Sequence, residues 1–210
     1  GANLSNSNLS GANLKDAILD NSKLYGADLT GVNLENASFK KVDINGAKFS
    51  GAYMIGVSFE NTDLRNANLQ GIHMPGQNFK GLDLTGVNFQ NAVLKDSNFE
   101  NSNLTDANLD SAYLNSANFK NVDMTNVSLS NTDLGGADLT NANLNSAKIQ
   151  NSFFKNAKIE NVTIDEAITD SCFEQDLINR IICKIKLELN PDSPPYEQNY
   201  EFRDNYSLRN

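Results

Sequence analysis

Large apolar residues recur at every fifth position along most of this chain. Leu4, Leu9, Leu14, Leu19 and Leu24 open the series and Phe154, Ile159 and Ile164 close it, 33 positions in one unbroken register. Two residues before each stands a small side chain, most often alanine, as at Ala12, Ala27, Ala47 and Ala137. The residue just before the large one favours Asn or Asp, and the second residue after it is usually Gly, Asn, Asp or Ser. Helices repeat every 3.6 residues and strands every 2, so neither ordinary period explains the pattern. A five-residue unit with two inward positions and a turn-former reads instead as a very short strand plus a corner. Gly26, Gly46, Gly71 and Gly86 supply the unusual φ such a corner requires, and Asn tolerates it. One unit cannot bury its own side chains, so the chain must coil and stack.

The number of units per coil is testable within the sequence. With four sides to a coil, residues twenty apart lie above one another. Phe39, Phe59, Phe79, Phe99 and Phe119 then form one pile of rings, and Met54 lies under Met74. The neighbouring column Asp20, Lys40, Glu60, Lys80, Glu100, Lys120 alternates in sign at every step. Strands stack about 4.8 Å apart, a distance at which opposite charges support one another and like charges oppose. An alternating ladder at this spacing is what the geometry favours.

Runs such as Ala12-Asn13-Leu14, Ala27-Asp28-Leu29, Ala107-Asn108-Leu109 and Ala137-Asp138-Leu139 resemble the A-(D/N)-L-x-x unit of the pentapeptide-repeat family, and the likeness covers residues 2–166. The resemblance implies an all-β solenoid, a right-handed quadrilateral parallel β-helix of about eight coils, roughly 40 Å long at about 4.8 Å per coil. Gln77 places an amide in a small-residue slot, and Ile72 and Leu82 are oversized there, so a local bulge is expected around residues 72–82.

The register ends after Ile164, where Thr169 takes the next large-residue slot. Ser171 and Glu174 have the spacing of a capping box, and Phe173, Leu177, Ile178, Ile181, Ile182 and Ile185 follow helical spacing. A C-terminal helix is therefore expected within residues 167–190, with alternation from Cys183 to Leu189 leaving a strand as the alternative at its far end. Residues 191–210, which hold Pro191, Pro194 and Pro195, read as a polar tail or linker. The helix is expected to cap the solenoid's open end. It is also a candidate for a homodimer contact, since some pentapeptide-repeat proteins dimerise through their C-terminal ends.

Composition narrows the function. The chain has 210 residues, 26 Asp+Glu against 17 Lys+Arg and a formal net charge of −9, a balance that disfavours direct nucleic-acid binding. Cys172 and Cys183 lie close together near the C-terminus and cannot staple the repeat body; both read as poor nucleophiles in or near an apolar helix. No apolar run reaches the roughly 18 residues of a membrane span. The start at Gly1-Ala2-Asn3-Leu4, without methionine and already inside the repeat, reads as a segment of a longer protein.

No catalytic constellation emerges. A single histidine, His73, rules out the usual Ser-His-Asp and Cys-His arrangements. No phosphate-binding loop, dinucleotide fingerprint or zinc-ligand spacing is present, so no catalytic residue, cofactor or metal is expected. His73 reads as a polar residue on a β-helix wall.

Outward positions carry the remaining information. In residues 2–166 the apolar exceptions to the inward rule are Ile18, Tyr25, Tyr53, Ile55, Val93, Tyr113 and Phe153, and five of these seven fall on one face. With His73 and Pro75 they make a broken stripe, Tyr53, Ile55, His73, Pro75, Val93, Tyr113 and Phe153, read as a candidate face for a protein partner. Another face stacks Asp43, Asp63 and Asp83, with Asp123 two coils further on. Gyrase-binding pentapeptide-repeat proteins are thought to mimic DNA, and this acidic face invites that comparison. Magnitude weighs against it. DNA would hold on the order of 23 charges in a ~40 Å stretch, whereas residues 2–166 carry 18 acidic and 12 basic groups. The first expectation is a non-catalytic interaction scaffold, as the recognition part of a larger, effector-like protein. The alternatives are a DNA mimic directed at a topoisomerase, and the substrate-binding part of a bacterial ligase resembling HECT-type ubiquitin ligases.

Overall fold

The computed structural model describes residues 1–164. The expected C-terminal helix, the tail and both cysteines lie outside the described residues.

Every unit repeats the same local conformation. The second residue after each large apolar one, from Asn6 to Asn161, has a positive φ between 53 and 71°. Asn, Asp, Ser, Lys and Gly all occupy this corner. The Asn or Asp just before the large residue has a second role, because its Oδ1 accepts the backbone N–H two residues on, as in Asn13 to Lys15 (3.2 Å) and Asn118 to Lys120 (3.1 Å). That side-chain turn fixes the bend while the large residue points inward.

Residues twenty apart are paired. Parallel bridges link Asn3 to Lys23, Asn8 to Asp28, Asn13 to Asn33 and Ile18 to Ser38, and the same spacing recurs up to Asn143 and Thr163. Four repeats therefore make one circuit. A coil's N–H and C=O groups bond to the coils on either side, as Leu14 N–H does to Asn33 O (2.7 Å) and Asn33 N–H to Ala12 O (3.0 Å).

The core is a column of the two inward slots, with Leu29, Phe79, Phe89, Phe99, Phe119 and Ala137 among its fully buried members. The expected pile of phenylalanines forms, with one fault. Phe79, Phe99 and Phe119 stack with centroids 4.9 Å apart at each step, and Phe39 meets Phe59 tilted at 5.9 Å. No ring contact joins Phe59 to Phe79 among the described residues.

That fault marks a wider interruption. Among the described residues the ladder steps Asp43–Asp63, Asp63–Asp83, Lys48–Asn68 and Ser58–Asn78 are unpaired, while Tyr53–His73 remains bridged. The bulge expected at residues 72–82 thus reaches back to Asp43, and Ile72, expected to be too large, is fully buried beside an intact bridge. Three local causes coincide. The Gln77 amide donates to Val57 O at 3.1 Å, the carbonyl that the Asn78 N–H would otherwise use. The Thr62 hydroxyl inserts into a turn, accepting from Val42 N–H (3.2 Å) and donating to Phe39 O. With the faces numbered in chain order from the outward residues Asn3, Asn8, Asn13 and Ile18, the missing steps on the first face are those between successive aspartates, where like charges oppose pairing. The separation leaves an open groove of about 280 Å³ lined by Lys41, Val42, Asp43, Ile44, Asn45, Asn61 and Asp63.

The expected charge ladder is realised in part. Lys40 pairs with Glu60 and Lys80 with Glu100, each at 2.9 Å, and Asp20 accepts the Lys40 N–H at 3.1 Å. Lys120 turns instead to Asp138 at 3.2 Å. The Lys–Glu pairs are exposed and screened by solvent, so they add little to stability.

Candidate interaction surfaces

The third face carries the apolar stripe. Its outward column runs Asn13, Asn33, Tyr53, His73, Val93, Tyr113, Asp133, Phe153, and all seven successive steps are bridged. Each of the other three faces loses at least one step at the interruption. The stripe therefore stands on the one continuous ladder, the most regular surface of the described body.

Side chains on this wall differ in height. Tyr53, Tyr113 and Phe153 are 40, 55 and 45% exposed, whereas Ile55, His73, Pro75, Val93 and Asp133 are half-buried. The Tyr53 and His73 rings stack at 5.0 Å with an interplanar angle of 6°. His73 is thus held against an aromatic neighbour instead of standing alone. All seven stripe residues lie on this wall. The stripe as read from the sequence omits Asp133, which interrupts the apolar column between Tyr113 and Phe153 and whose Oδ1 accepts the Gly135 N–H at 2.9 Å. Ile18 and Tyr25, 81 and 56% exposed, sit on other faces and join no stripe.

The wall's borders were also missed. Beside Tyr53 and His73 both corners are glycine: Gly51 and Gly71 on one side, Gly56 and Gly76 on the other. Neither φ nor space demands this at Gly51 or Gly76, since Asn and Ser take the same φ elsewhere and an added Cβ would meet nothing within 4 Å. The effect is to remove side chains that would stand up along the edges of the wall. The twenty-residue spacing of Gly51 and Gly71, and of Gly56 and Gly76, is legible in the sequence.

The acidic column is less acidic in effect than in composition. Asp43, Asp63, Asp83 and Asp123 share the first face, but each already accepts the N–H two residues on, at 3.0–3.1 Å. Arg65 grips Asp63 through two bonds of 2.9 and 2.6 Å, and that contact holds the Asp63 carboxyl below the usual carboxylate range. The Thr85 hydroxyl does the same for Asp83. Lys23 and Asn103 interrupt the column further.

Among the described residues no group of three or more His, Cys, Asp and Glu side chains could hold a metal ion. No helix there is long and apolar enough to cross a membrane.

Comparison with known proteins agrees with this geometry. A family model described as a pentapeptide repeat region matches residues 27–99 and 92–168, and one described as pentapeptide repeats (8 copies) matches residues 1–36. No curated protein sequence matches the chain. Among solved structures, a trypsin-treated variant of QnrB1, a plasmid-mediated fluoroquinolone resistance protein, is similar at 17% identity and a TM-score of 0.58, over 75% of this chain and 86% of that one. HetL, a pentapeptide repeat protein involved in heterocyst differentiation regulation from the cyanobacterium Nostoc sp. strain PCC 7120, shares 22% identity over 77% of this chain and 76% of its own, with a TM-score of 0.36. At 17% identity the likeness to QnrB1 speaks for the fold alone. With a five-residue period, a pairing interval of twenty and family models spanning the whole described body, the chain belongs to the pentapeptide repeat family.

Proposed function

We propose that this protein is a non-catalytic interaction scaffold whose working surface is the third wall, and that its partner is a protein. The frame is read as a right-handed quadrilateral parallel β-helix of about eight coils. The observation that carries the proposal is the coincidence on one face of exposed aromatics, glycine corners beside Tyr53 and His73, and the one continuous ladder. Isolated apolar residues on a surface need no explanation, whereas a connected band on a rigid wall is what recognition uses. Tyrosine and phenylalanine give large contact area at low entropic cost, the usual character of binding anchors. DNA mimicry receives less support, because the first-face aspartates are engaged with their own backbone and with Arg65.

The test is comparative capture. The immobilised protein and the double variant Tyr53→Ser/Tyr113→Ser are exposed to lysate of the producing organism, and captured proteins are quantified by mass spectrometry. The double variant is expected to lose specific partners at least tenfold. Identical capture by both forms overturns the assignment of this wall. Both substitutions fall at outward slots where serine already stands, as at Ser38 and Ser58, so folding is retained.

A further inference from the structure

We propose that the third wall pairs with the same wall of a second copy, as an antiparallel side-by-side dimer with one defined register. This rests on the reading of that wall as an interaction surface and names its occupant.

A two-fold axis lying in the interface along the strand direction reverses the rod and keeps each column opposite itself. Centred between Val93 and Tyr113, it sets Tyr53 against Phe153 of the other copy, His73 against Asp133, and Val93 against Tyr113, and each pairing occurs twice. The column Tyr53, His73, Val93, Tyr113, Asp133, Phe153 is thus complementary to its own reverse. An aromatic pair lies at each end, a cation-capable imidazole meets a carboxylate inside it, and at the centre each protruding Tyr113 enters the hollow over a half-buried Val93. Among the described residues the second Asp133 oxygen accepts no hydrogen bond, so it is available across the interface.

The flanking positions agree. In the following column, Ile55 falls opposite Lys155, Pro75 opposite Gly135 and Lys95 opposite Asn115; in the preceding one, Gln90 falls opposite Asp110. No like charges meet. At the corners Gly51, Gly56 and Gly71 fall opposite Asn151, Asn156 and Asn131, the smallest residue against a larger one, while Gly76 falls opposite Gly136. This gives Gly51, which neither φ nor space requires to be glycine, a role. Competing arrangements fit worse. A two-fold axis along the rod places Asp133 against Asp133, and an antiparallel register centred between His73 and Val93 drives Tyr53 onto Tyr113 and leaves His73 without a carboxylate. Six coils at about 4.8 Å give a contact about 29 Å long and one wall wide. That is the low end of specific interfaces, so association depends on concentration.

The experiment is sedimentation equilibrium of the full chain over a wide concentration range, with charge reversals at the paired positions. The wild type is expected to show a monomer–dimer equilibrium. His73→Asp, which sets two carboxylates opposite one another, and Asp133→Lys, which removes the acceptor facing the His73 ring and puts an ammonium there, are expected to weaken dimerisation at least tenfold, and the double variant His73→Asp/Asp133→Lys to restore it. Lysine and aspartate occupy the same outward slot at Lys23 and Asp43, and unchanged thermal unfolding confirms that each variant folds. A wild type that stays monomeric, or a dimer indifferent to the reversals, overturns the proposal. If the protein is monomeric and the tyrosine double variant still loses partners, only the second copy is wrong; if capture is also unchanged, the wall itself is.

Discussion

At the residue scale, each unit divides its work among five side chains, and the inward ones carry the stability. Phe99 is fully buried, stacked at 4.9 Å on both Phe79 and Phe119 and set nearly edge-on to Phe89 at 6.3 Å. Truncating it removes apolar contact with three rings and leaves a void that the ladders above and below prevent from closing. Phe99→Ala is expected to cost about 3–5 kcal/mol. Urea unfolding followed by circular dichroism checks this. A loss below about 1 kcal/mol would mean that the coils collapse onto the gap and that the pile is not a rigid column. The small slot works by the opposite logic. Ser97 and Thr132 fit there because their hydroxyls reach Met74 O (3.4 Å) and Leu109 O (2.7 Å) in the coil before. A polar group in the core is tolerated where it finds such a partner.

At the scale of the coil, the ladder that interlocks neighbouring turns is continuous on one side and open on three at the junction between residues 43–58 and 63–78, and on the aspartate face the opening runs on to the next step, Asp63–Asp83. Ile44, Gly46, Phe49, Asp63 and Leu64 have backbone N–H groups with no acceptor among the described residues, although the side chains of Ile44, Phe49 and Leu64 are buried. Amide exchange is therefore expected to be fast at these five and slow at Met54 and His73, which bond across the same junction at 2.9 Å. The Gln77 amide supplies a direct handle. Gln77→Ala frees Val57 O for the Asn78 N–H, and the gain of one backbone bond, about 1 kcal/mol, is expected to slow exchange at Asn78 about fivefold. No change at Asn78 would place the cause of the opening elsewhere, in Thr62 or in the aspartate stack. These details explain what the sequence does and does not reveal. The Phe79–Phe99–Phe119 pile is legible because interval and residue type are both visible in one dimension. The gap between Phe59 and Phe79 is not, because it turns on which acceptor the Gln77 side chain reaches. Likewise Tyr53 and His73 are legible as neighbours, while the role of Asn118 as acceptor for Lys120 hides behind its familiar preference for turns. The same limit applies to the glycine borders, whose meaning lies in the side chains they omit.

At the scale of the molecule, a stack of near-identical coils places many outward carboxylates in the same local setting, so their individual shifts add in one direction. Asp20, Asp28, Asp63 and Asp83 are held below the usual carboxylate range, first by a side-chain donor (Ser38, Thr30, Arg65 and Thr85 respectively), and Glu100 by Lys80. For Asp138 burial pushes the carboxyl up, but the Thr140 hydroxyl and N–H, together with Lys120, outweigh it and bring it down to about 2. A carboxylate depressed in the folded state binds fewer protons there than in the unfolded chain. Its contribution is fully present above the unfolded value, about 4, and is lost as pH falls through the folded one. At the other end Lys15 and Lys40 are raised, first by their hydrogen bonds to Glu35 and Glu60; their contribution is present below about 10.4 and lost above it. The urea midpoint should therefore vary little between about pH 5 and 9 and drop between about 4 and 2. Thr140→Val separates this from general acid expansion, because it removes one donor to Asp138 without altering net charge. By carboxyl-detected NMR titration Asp138 is expected to move up from about 2, with its share of the acid loss beginning at correspondingly higher pH. An Asp138 that titrates unchanged in this variant, or a midpoint constant down to about pH 2.5, would mean that these side-chain bonds do not discriminate between the charged and neutral carboxyl.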